Sequence, residues 1–301
     1  MKDALGQFCI YQDVFDFEQF LKYLGIGSSK RRRLEIPRNL LNRKFKKGDQ
    51  FALSLDVLNH QEVSPCYVGP EIKILYCLQD ILVVSKPAGV AGFPLLYSQR
   101  NNVLSYLRSS SEYLDVLQVG EFPERGAIMR LDNETSGVLI FARNKRSFEQ
   151  LRGNFEALVK KKLYLAIVQG KTDDAFELIH FFSNLNKGGK KVICSDVEKA
   201  NSKKGTIHCR RLDFNQEKNL SLLLVELEQG HRHQIRAQLS HYGRPILGDD
   251  LYSGQSAARV FLHCYRYELE FKQQKMKFQD DSCPLFSLFF DLNRCLEMVG
   301  D

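Results

Sequence analysis

The string RLDNETSG, residues 130–137, places Asp132 two residues after Arg130 in a turn-like run that opens onto the apolar stretch GVLIFA. A carboxylate is an adequate nucleophile when it is ionised and rigidly held. Aspartate titrates near ~3.9 in water. Burial raises that value, and a nearby guanidinium lowers it again. A buried reactive Asp132 therefore calls for an arginine partner, and two are available: Arg130 in the same segment and Arg236 in HQIR, residues 233–236. The plainer reading is a turn capped by its own aspartate. Glu134, two residues on, faces the same side if the segment is extended, whereas Leu131 then points the other way, into the core. Paired carboxylates ~5–5.5 or ~6.5–9.5 Å apart are the signature of glycoside hydrolysis. Glu134 fits a loop-ordering role better.

Strands and helices must hold these groups. DILVVSKPAG (80–89) is an apolar strand stopped by Pro87 and Gly89, and GVLIFARN (137–144) is a second. SFEQLRGNFEALVKK (147–161) has helical spacing of Phe148, Leu151, Phe155 and Leu158, with Ser147 and Gln150 as a capping box. KLYLAIVQG (162–170), LSLLLVELEQG (220–230) and VFLHCYRYELEF (260–271) are strands, and HQIRAQLSHYG (233–243) is a short helix ending at Gly243. NLNKGGKK (184–191) is a basic hairpin tip carrying Lys187, Lys190 and Lys191. Strands and helices do not alternate regularly. The predicted fold class is therefore α+β, with a mixed, largely antiparallel central sheet and flanking helices.

Residues 1–68 differ in composition. DFEQFLKYLGI (16–26) has helical apolar spacing, and residues 28–47 hold nine Lys or Arg against the single acid Glu35. GDQFALSL (48–55) reads as a turn into a strand, and HQEVSPCYVGPE (60–71) is a linker candidate. The expected organisation is a small basic N-terminal module, 1–68, before a catalytic domain, 69–301. Arg31, Arg32 and Arg33 are candidate phosphate contacts, because such side chains displace counterions from nucleic acid.

The whole chain of 301 residues carries a formal net charge of +7, with 44% apolar and 26% charged residues. That balance suits an anionic partner and excludes a disordered composition. No apolar run is long enough to span a membrane, and the first 16 residues lack the apolar core of a secretory signal. None of the eight cysteines forms a C-x-x-C pair. They read as reduced thiols of a cytoplasmic protein, with no metal site.

Several motifs follow one another: SKPAG (85–89), RLDNETSG (130–137), KLYLA (162–166), HQIR (233–236), GRPILGDDLY (243–252) and LHC (262–264). In this order they resemble the RluA-type RNA pseudouridine synthases over roughly residues 70–300. FLKYLGI, the basic run and KKGDQFAL are similar to the small RNA-binding module that often precedes that domain. The resemblance implies a pseudouridine synthase fold and isomerisation of a uridine in ribosomal or transfer RNA. It implies no metal and no small-molecule cofactor, and a monomer is expected. It places Asp132 as the catalytic carboxylate, Tyr164 as the active-site tyrosine and Arg236 as the basic partner of Asp132. Arg130 matches the arginine that fills the stack when the target base leaves it. Lys86 and Gln234 are further substrate-contact candidates, with Gln234 expected to bond near Arg236.

Some positions depart from the family pattern. Met129 stands for its usual His before Arg-Leu-Asp, and QGH (229–231) for Thr-Gly-Arg. Ser85, Phe93 and Cys264 stand for Asn, His and Ala. His233, His241, Asp249, Asp250 and Tyr252 read as helix-terminal or packing residues, and Phe181, Phe182, Phe289 and Phe290 as core. Two other readings compete: a non-catalytic RNA-binding protein on the same fold, and a hydrolase using Asp132 with Glu134.

Overall fold

The computed structural model describes residues 5–9, 15, 16, 44–46, 49–54, 63–183 and 191–300. Residues 17–26 of the predicted helix, Arg31, Arg32 and Arg33 of the basic run, and the hairpin tip with Lys187 and Lys190 lie outside these residues, whereas Asp16, the first residue of the predicted helix, is in a strand. In the N-terminal part, β1 (Leu5–Cys9) pairs antiparallel with β4 (Gln50–Ser54), and β2 (Phe15–Asp16) with β3 (Lys44–Phe45). Before β4 the Asp49 N–H donates to the Lys46 carbonyl at 3.0 Å.

The rest is built on one ten-stranded sheet. Its strands are β5 (Lys73–Cys77), β6 (Ile81–Lys86), β7 (Ser136–Ala142), β8 (Val159–Gln169), β9 (Ala175–Ser183), β10 (Ile193–Ser195), β11 (Lys203–Asn215), β12 (Leu220–Leu227), β13 (Leu262–Phe271) and β14 (Gln274–Gln279). The order is β10-β9-β11-β12-β8-β13-β7-β6-β5, with β14 beside β13. Only β13 and β7 pair in parallel, so the sheet is mixed and largely antiparallel, as the sequence predicts. Every residue of β7 is buried. A strand covered on both faces reads as a continuous apolar run rather than an alternation, and VLIFA is such a run. Helices α1 (Val103–Ser109), α2 (Lys145–Gly153) and α3 (Gln234–His241) contribute Leu104, Leu151 and Leu239 to the same core.

Some boundaries differ from the sequence reading. Helix α2 begins after Asn144, whose side chain accepts from the Ser147 N–H at 2.9 Å. The Ser147 hydroxyl instead donates to Asp80 at 2.6 Å, so the predicted Ser147 capping box is not formed. The predicted single helix breaks at Asn154, and β8 starts at Val159. Phe182 and Phe290 are buried core residues, whereas Phe181 and Phe289 are half-buried.

The register aligns the candidate site. Lys86 pairs with Gly137, Gly137 with Cys264, Cys264 with Tyr164 and Tyr164 with Val225. One row across five strands thus carries Lys86, the exit of the RLDNETSG segment and Tyr164. At ~4.8 Å between strands, Tyr164 lies about 10 Å along the row from Gly137. The row requires a glycine at 137. Its φ is +111°, and an added Cβ would sit 2.2 Å from the Cys264 carbonyl oxygen.

Gly137→Ala combines backbone strain with a clash against main chain, so a loss of at least about 3 kcal/mol is expected. Thermal melts should show Tm falling by roughly 10 °C. Gly153→Ala, at a helical position with nothing within 4 Å of the new Cβ, should leave Tm unchanged or slightly raised. Equal melts for the two variants would show that the row does not need its glycine.

Candidate active site

The segment before β7 is a turn closed by the Thr135 N–H donating to the Asp132 carbonyl at 3.1 Å. It is fastened from below. Lys86, at the end of β6, is completely buried. Its Nζ donates to the carbonyls of Pro87 at 3.0 Å, Val90 at 2.7 Å and Asn133 at 3.0 Å. The Gly89 N–H donates to the same Asn133 carbonyl at 2.7 Å. This corrects the expectation for Lys86: its ammonium is committed to main-chain oxygens beneath the loop and does not reach a substrate. Burial pulls its pKa down to about 7, against Asp132 and Glu134, which raise it.

Arg236 projects from α3 and is only 2% exposed. Nε and Nη2 grip the two oxygens of buried Asp249 at 2.7 and 2.9 Å. Nη1 remains for the loop and donates to Asp132 Oδ2 at 3.3 Å and Glu134 Oε2 at 2.9 Å. Burial alone would lower the Arg236 pKa. The bonds and charge of Asp249, with Asp132 and Glu134, raise it above its ordinary value instead, so the guanidinium stays charged. The ring of Tyr252 lies against it, 5.4 Å from Cζ. Arg130 is not the partner of Asp132. Its side chain is 65% exposed and pairs loosely with Glu124 at 3.8 Å.

Tyr164 lies on β8 within the sheet. Its hydroxyl is 3.5 Å from that of Tyr267 on β13. Burial, then Cys264 and Tyr267, push its pKa well above the usual phenol value, so the phenol keeps its proton. Tyr164, Tyr267, Arg236 and Asp132 line a cavity of about 80 Å³. A wider groove of about 830 Å³ opens on the other side of Asp132, walled by Phe93, Met129 and Leu131 and rimmed by Arg100 and Arg232. Arg130, Leu131, Asp132 and His233 border both spaces. Leu131 packs on the core, as expected, and also borders both spaces.

The structure therefore brings Asp132, Arg236 and Tyr164 together, with Arg130 at the mouth. Gln234 also borders the small cavity but does not bond Arg236. Its Nε2 donates to the Thr206 carbonyl at 3.3 Å, and its Oε1 accepts the His231 N–H at 3.1 Å. Lys191 lies over the other ring neighbour of the site, with Nζ 5.1 Å from the Tyr252 centroid. Sequence reasoning missed two contacts. Asp249 fixes the plane of Arg236, and His233 sets Nε2 3.9 Å from Asp132 Oδ1. The signal for both was adjacency to motifs already singled out, GDDLY and HQIR.

His180, Asp196 and His241 form a second polar cluster, with both imidazole Nε2 atoms 3.1–3.3 Å from the carboxylate. Those spacings alone suit a cation. A metal-bound imidazole, however, needs an acceptor for its other N–H. His180 Nδ1 faces the Gln238 amide nitrogen at 3.1 Å, and that nitrogen also donates to the carbonyls of Leu178 and Gly205. The arrangement fits a hydrogen-bonded brace and not a metal ligand set.

The buried amine of Lys86 gives a pH prediction. Its folded pKa lies below the free value near ~10.4, so between about pH 7 and 10 the unfolded chain binds the extra proton. Stability from this group therefore rises with pH through that window, by at most about 1.4 kcal/mol per pH unit. Denaturant melts of the wild type and Lys86→Met should diverge accordingly, the wild type gaining on the variant as pH rises. A wild type that loses ground over that range would show the folded ammonium to be favoured.

Comparison with known proteins identifies the family. A family model described as RNA pseudouridylate synthase matches residues 80–241. A ribosomal large subunit pseudouridine synthase D of Borreliella burgdorferi is 30% identical over 211 residues, 68% of this chain and 63% of that protein. An uncharacterized RNA pseudouridine synthase of Bacillus subtilis is 30% identical over 217 residues, 72% of this chain and 68% of that protein. This chain thus spans about two thirds of the length of these curated relatives. The structure of human RNA pseudouridylate synthase domain containing 1 shares the fold, with a TM-score of 0.57 at 21% identity over 71% of this chain and 86% of that one. On these grounds, and on the loop, arginine and tyrosine described above, the chain belongs to the RNA pseudouridylate synthase family, of the RluA type.

Proposed function

We propose that the protein isomerises a specific uridine in a structured ribosomal or transfer RNA to pseudouridine, with Asp132 as the reacting carboxylate. The observation that carries this reading is the 3.3 Å contact of the Arg236 guanidinium with Asp132, in a cavity shared with Tyr164. A carboxylate held by a fixed cation in a concave, partly desolvated site can stabilise charge that develops on the ribose.

The reaction must break the glycosidic bond, turn the base and rejoin it through carbon 5. Two routes suit Asp132. In one, a carboxylate oxygen bonds to carbon 1′ as the uracil departs with the bonding pair. In the other, the carboxylate takes the carbon 2′ proton as uracil leaves, giving a glycal. Tyr164 supplies a flat wall on which the detached base can stack. Burial keeps its phenol protonated, and in the net isomerisation the proton lost from carbon 5 is balanced by the one gained at N1. A base inside a duplex is out of reach, so the uridine must be extruded at a cost of a few kcal/mol. We read Arg130, whose side chain is 65% exposed, as the residue that fills the vacated stack. We further read residues 1–68 as a basic RNA-binding module and 69–301 as the catalytic domain, with RNA as the partner.

Two experiments test this reading. Total RNA from a host lacking the protein is incubated with wild type or with Asp132→Asn, and pseudouridine is mapped. A site should appear with wild type and be absent with Asp132→Asn. Modification by the variant would remove Asp132 from the chemistry, and free uracil as product would indicate a hydrolase. Replacing Arg31, Arg32 and Arg33 with Gln should weaken RNA binding and flatten the slope of log affinity against log salt by about 2, at ~0.7 per phosphate contact. An unaltered slope would place that stretch outside the interface.

A further inference from the structure

His233 occupies an expensive backbone position. It is the residue before α3 and has φ 54° and ψ 21°, in the left-handed region, without capping the helix through its side chain. A non-glycine residue held there stores backbone strain, a pattern that recurs at functional sites. The conformation turns the imidazole inward, leaving the side chain 12% exposed. Nε2 points toward Asp132 Oδ1 at 3.9 Å, while the other carboxylate oxygen, Oδ2, is taken by Arg236.

The far side of the ring is held as well. Nδ1 lies 3.1 Å from the Tyr252 hydroxyl, and the two rings meet edge to face at 5.7 Å. The Tyr252 hydroxyl already accepts the Val192 N–H at 2.9 Å. Its own hydrogen can go to His233 Nδ1 or to the Val192 carbonyl at 3.2 Å. Donation to Nδ1 leaves the imidazole hydrogen on Nε2, where it meets the charge of Asp132. Tyr252 also supports the Arg236 guanidinium with its ring. One buried side chain therefore braces both groups that approach the reacting carboxylate.

We propose that His233 is a positioning residue for Asp132: its Nε2–H, oriented through the Tyr252 hydroxyl, aims Oδ1 toward the sugar while Arg236 holds Oδ2. The inference rests on the reading of Asp132 as the reacting carboxylate. The charged and titratable groups facing the ring are Asp132 and Glu134 from the loop, Arg232 before the helix, Arg236 on it, and Tyr252. Burial lowers the His233 pKa from its usual value, Asp132 and Glu134 oppose this, and the two arginines reinforce it. The ring is thus neutral at neutral pH. At 3.9 Å, beyond hydrogen-bond distance, the neutral ring acts on Oδ1 through its N–H dipole alone and leaves the lone pairs free. A protonated ring would be a second cation on the same carboxylate, and would make it a poorer nucleophile or base. The rate should therefore fall on the acid side of the ordinary histidine value, as the ring takes up its proton.

The test uses the full chain and total RNA from a host lacking it, with single-turnover rates followed at the mapped uridine from pH 5 to 8.5. His233→Ala should lower the rate at least about tenfold, with half-saturating protein concentration changed less than threefold. His233→Gln, which keeps an N–H donor but cannot titrate, should recover to within about threefold of wild type and lose the acid limb. Tyr252→Phe should fall between them. Gln no better than Ala, a Gln variant that keeps the acid limb, or His233→Ala at the wild-type rate would each overturn the proposal. If His233→Ala fails to fold, the pH profiles of wild type and His233→Gln decide alone. Asp132→Asn, run alongside, separates the two readings. Its activity would sink the carboxylate mechanism, whereas its silence beside a fully active His233→Ala would sink only the role of His233.

Discussion

A buried guanidinium is the constraint from which the rest of the site follows. Arg236 cannot lie in the interior unpaired, because the desolvation of a lone charge costs several kcal/mol. Asp249 meets this need with a two-point grip that fixes the plane of the fork. The fixed plane sends Nη1 in one direction only, toward the loop that carries Asp132 and Glu134. The carboxylate is thus placed by a cation that has already been placed by another carboxylate. Exchanging Arg236 for Lys would keep a charge and lose the geometry, since an ammonium has no planar fork.

The loop needs its own supports, because a turn has few contacts to resist displacement. Its main chain is tied at Asn133 by Lys86 and the Gly89 N–H. Its exit is tied where β7 meets β13. There the Ser136 hydroxyl lies 2.7 Å from His263 Nδ1, Arg259 donates to the same hydroxyl at 2.6 Å, and His263 Nε2 meets the Asp280 carbonyl at 2.9 Å. The donors run in one direction, from Arg259 to Ser136, to His263, to Asp280. This explains the LHC motif as a buried anchor. Burial also lowers the His263 pKa, in keeping with a neutral ring that accepts at one nitrogen and donates at the other.

The legible parts of the sequence were those with local signals. The apolar runs of β6, β7, β8 and β12 announced themselves, and so did Gly-bearing turns and the charged residues set among them. Asp132, Arg236 and Tyr164 could be chosen by residue type and by motif order. The partner of Asp132 could not be chosen from spacing alone, since Arg130 is adjacent and Arg236 lies 104 positions away. Strands β9, β11 and β14 went unread because charged and polar side chains interrupt their alternation, as in KKGTIHCRRLDFN. Lys86 was misassigned for a related reason. A lysine beside a Pro-Gly turn looks exposed, and only the fold shows three carbonyls converging on it.

Sheet topology accounts for why such distant residues meet. The edge of β13 is shared: residues 263 and 264 pair with β7, and residues 266–271 with β14. Its opposite edge is occupied by β8 along nearly the whole length. Inserting β13 between β7 and β8 puts the exit of the loop and Tyr164 on one row, separated by a single strand. The parallel β7–β13 pairing needs a long connection, and that connection contains the hairpins of β8 to β12 and then α3. The helix bearing Arg236, with His233 just before it, is therefore delivered back to the loop by the same crossover that brings β13 into register.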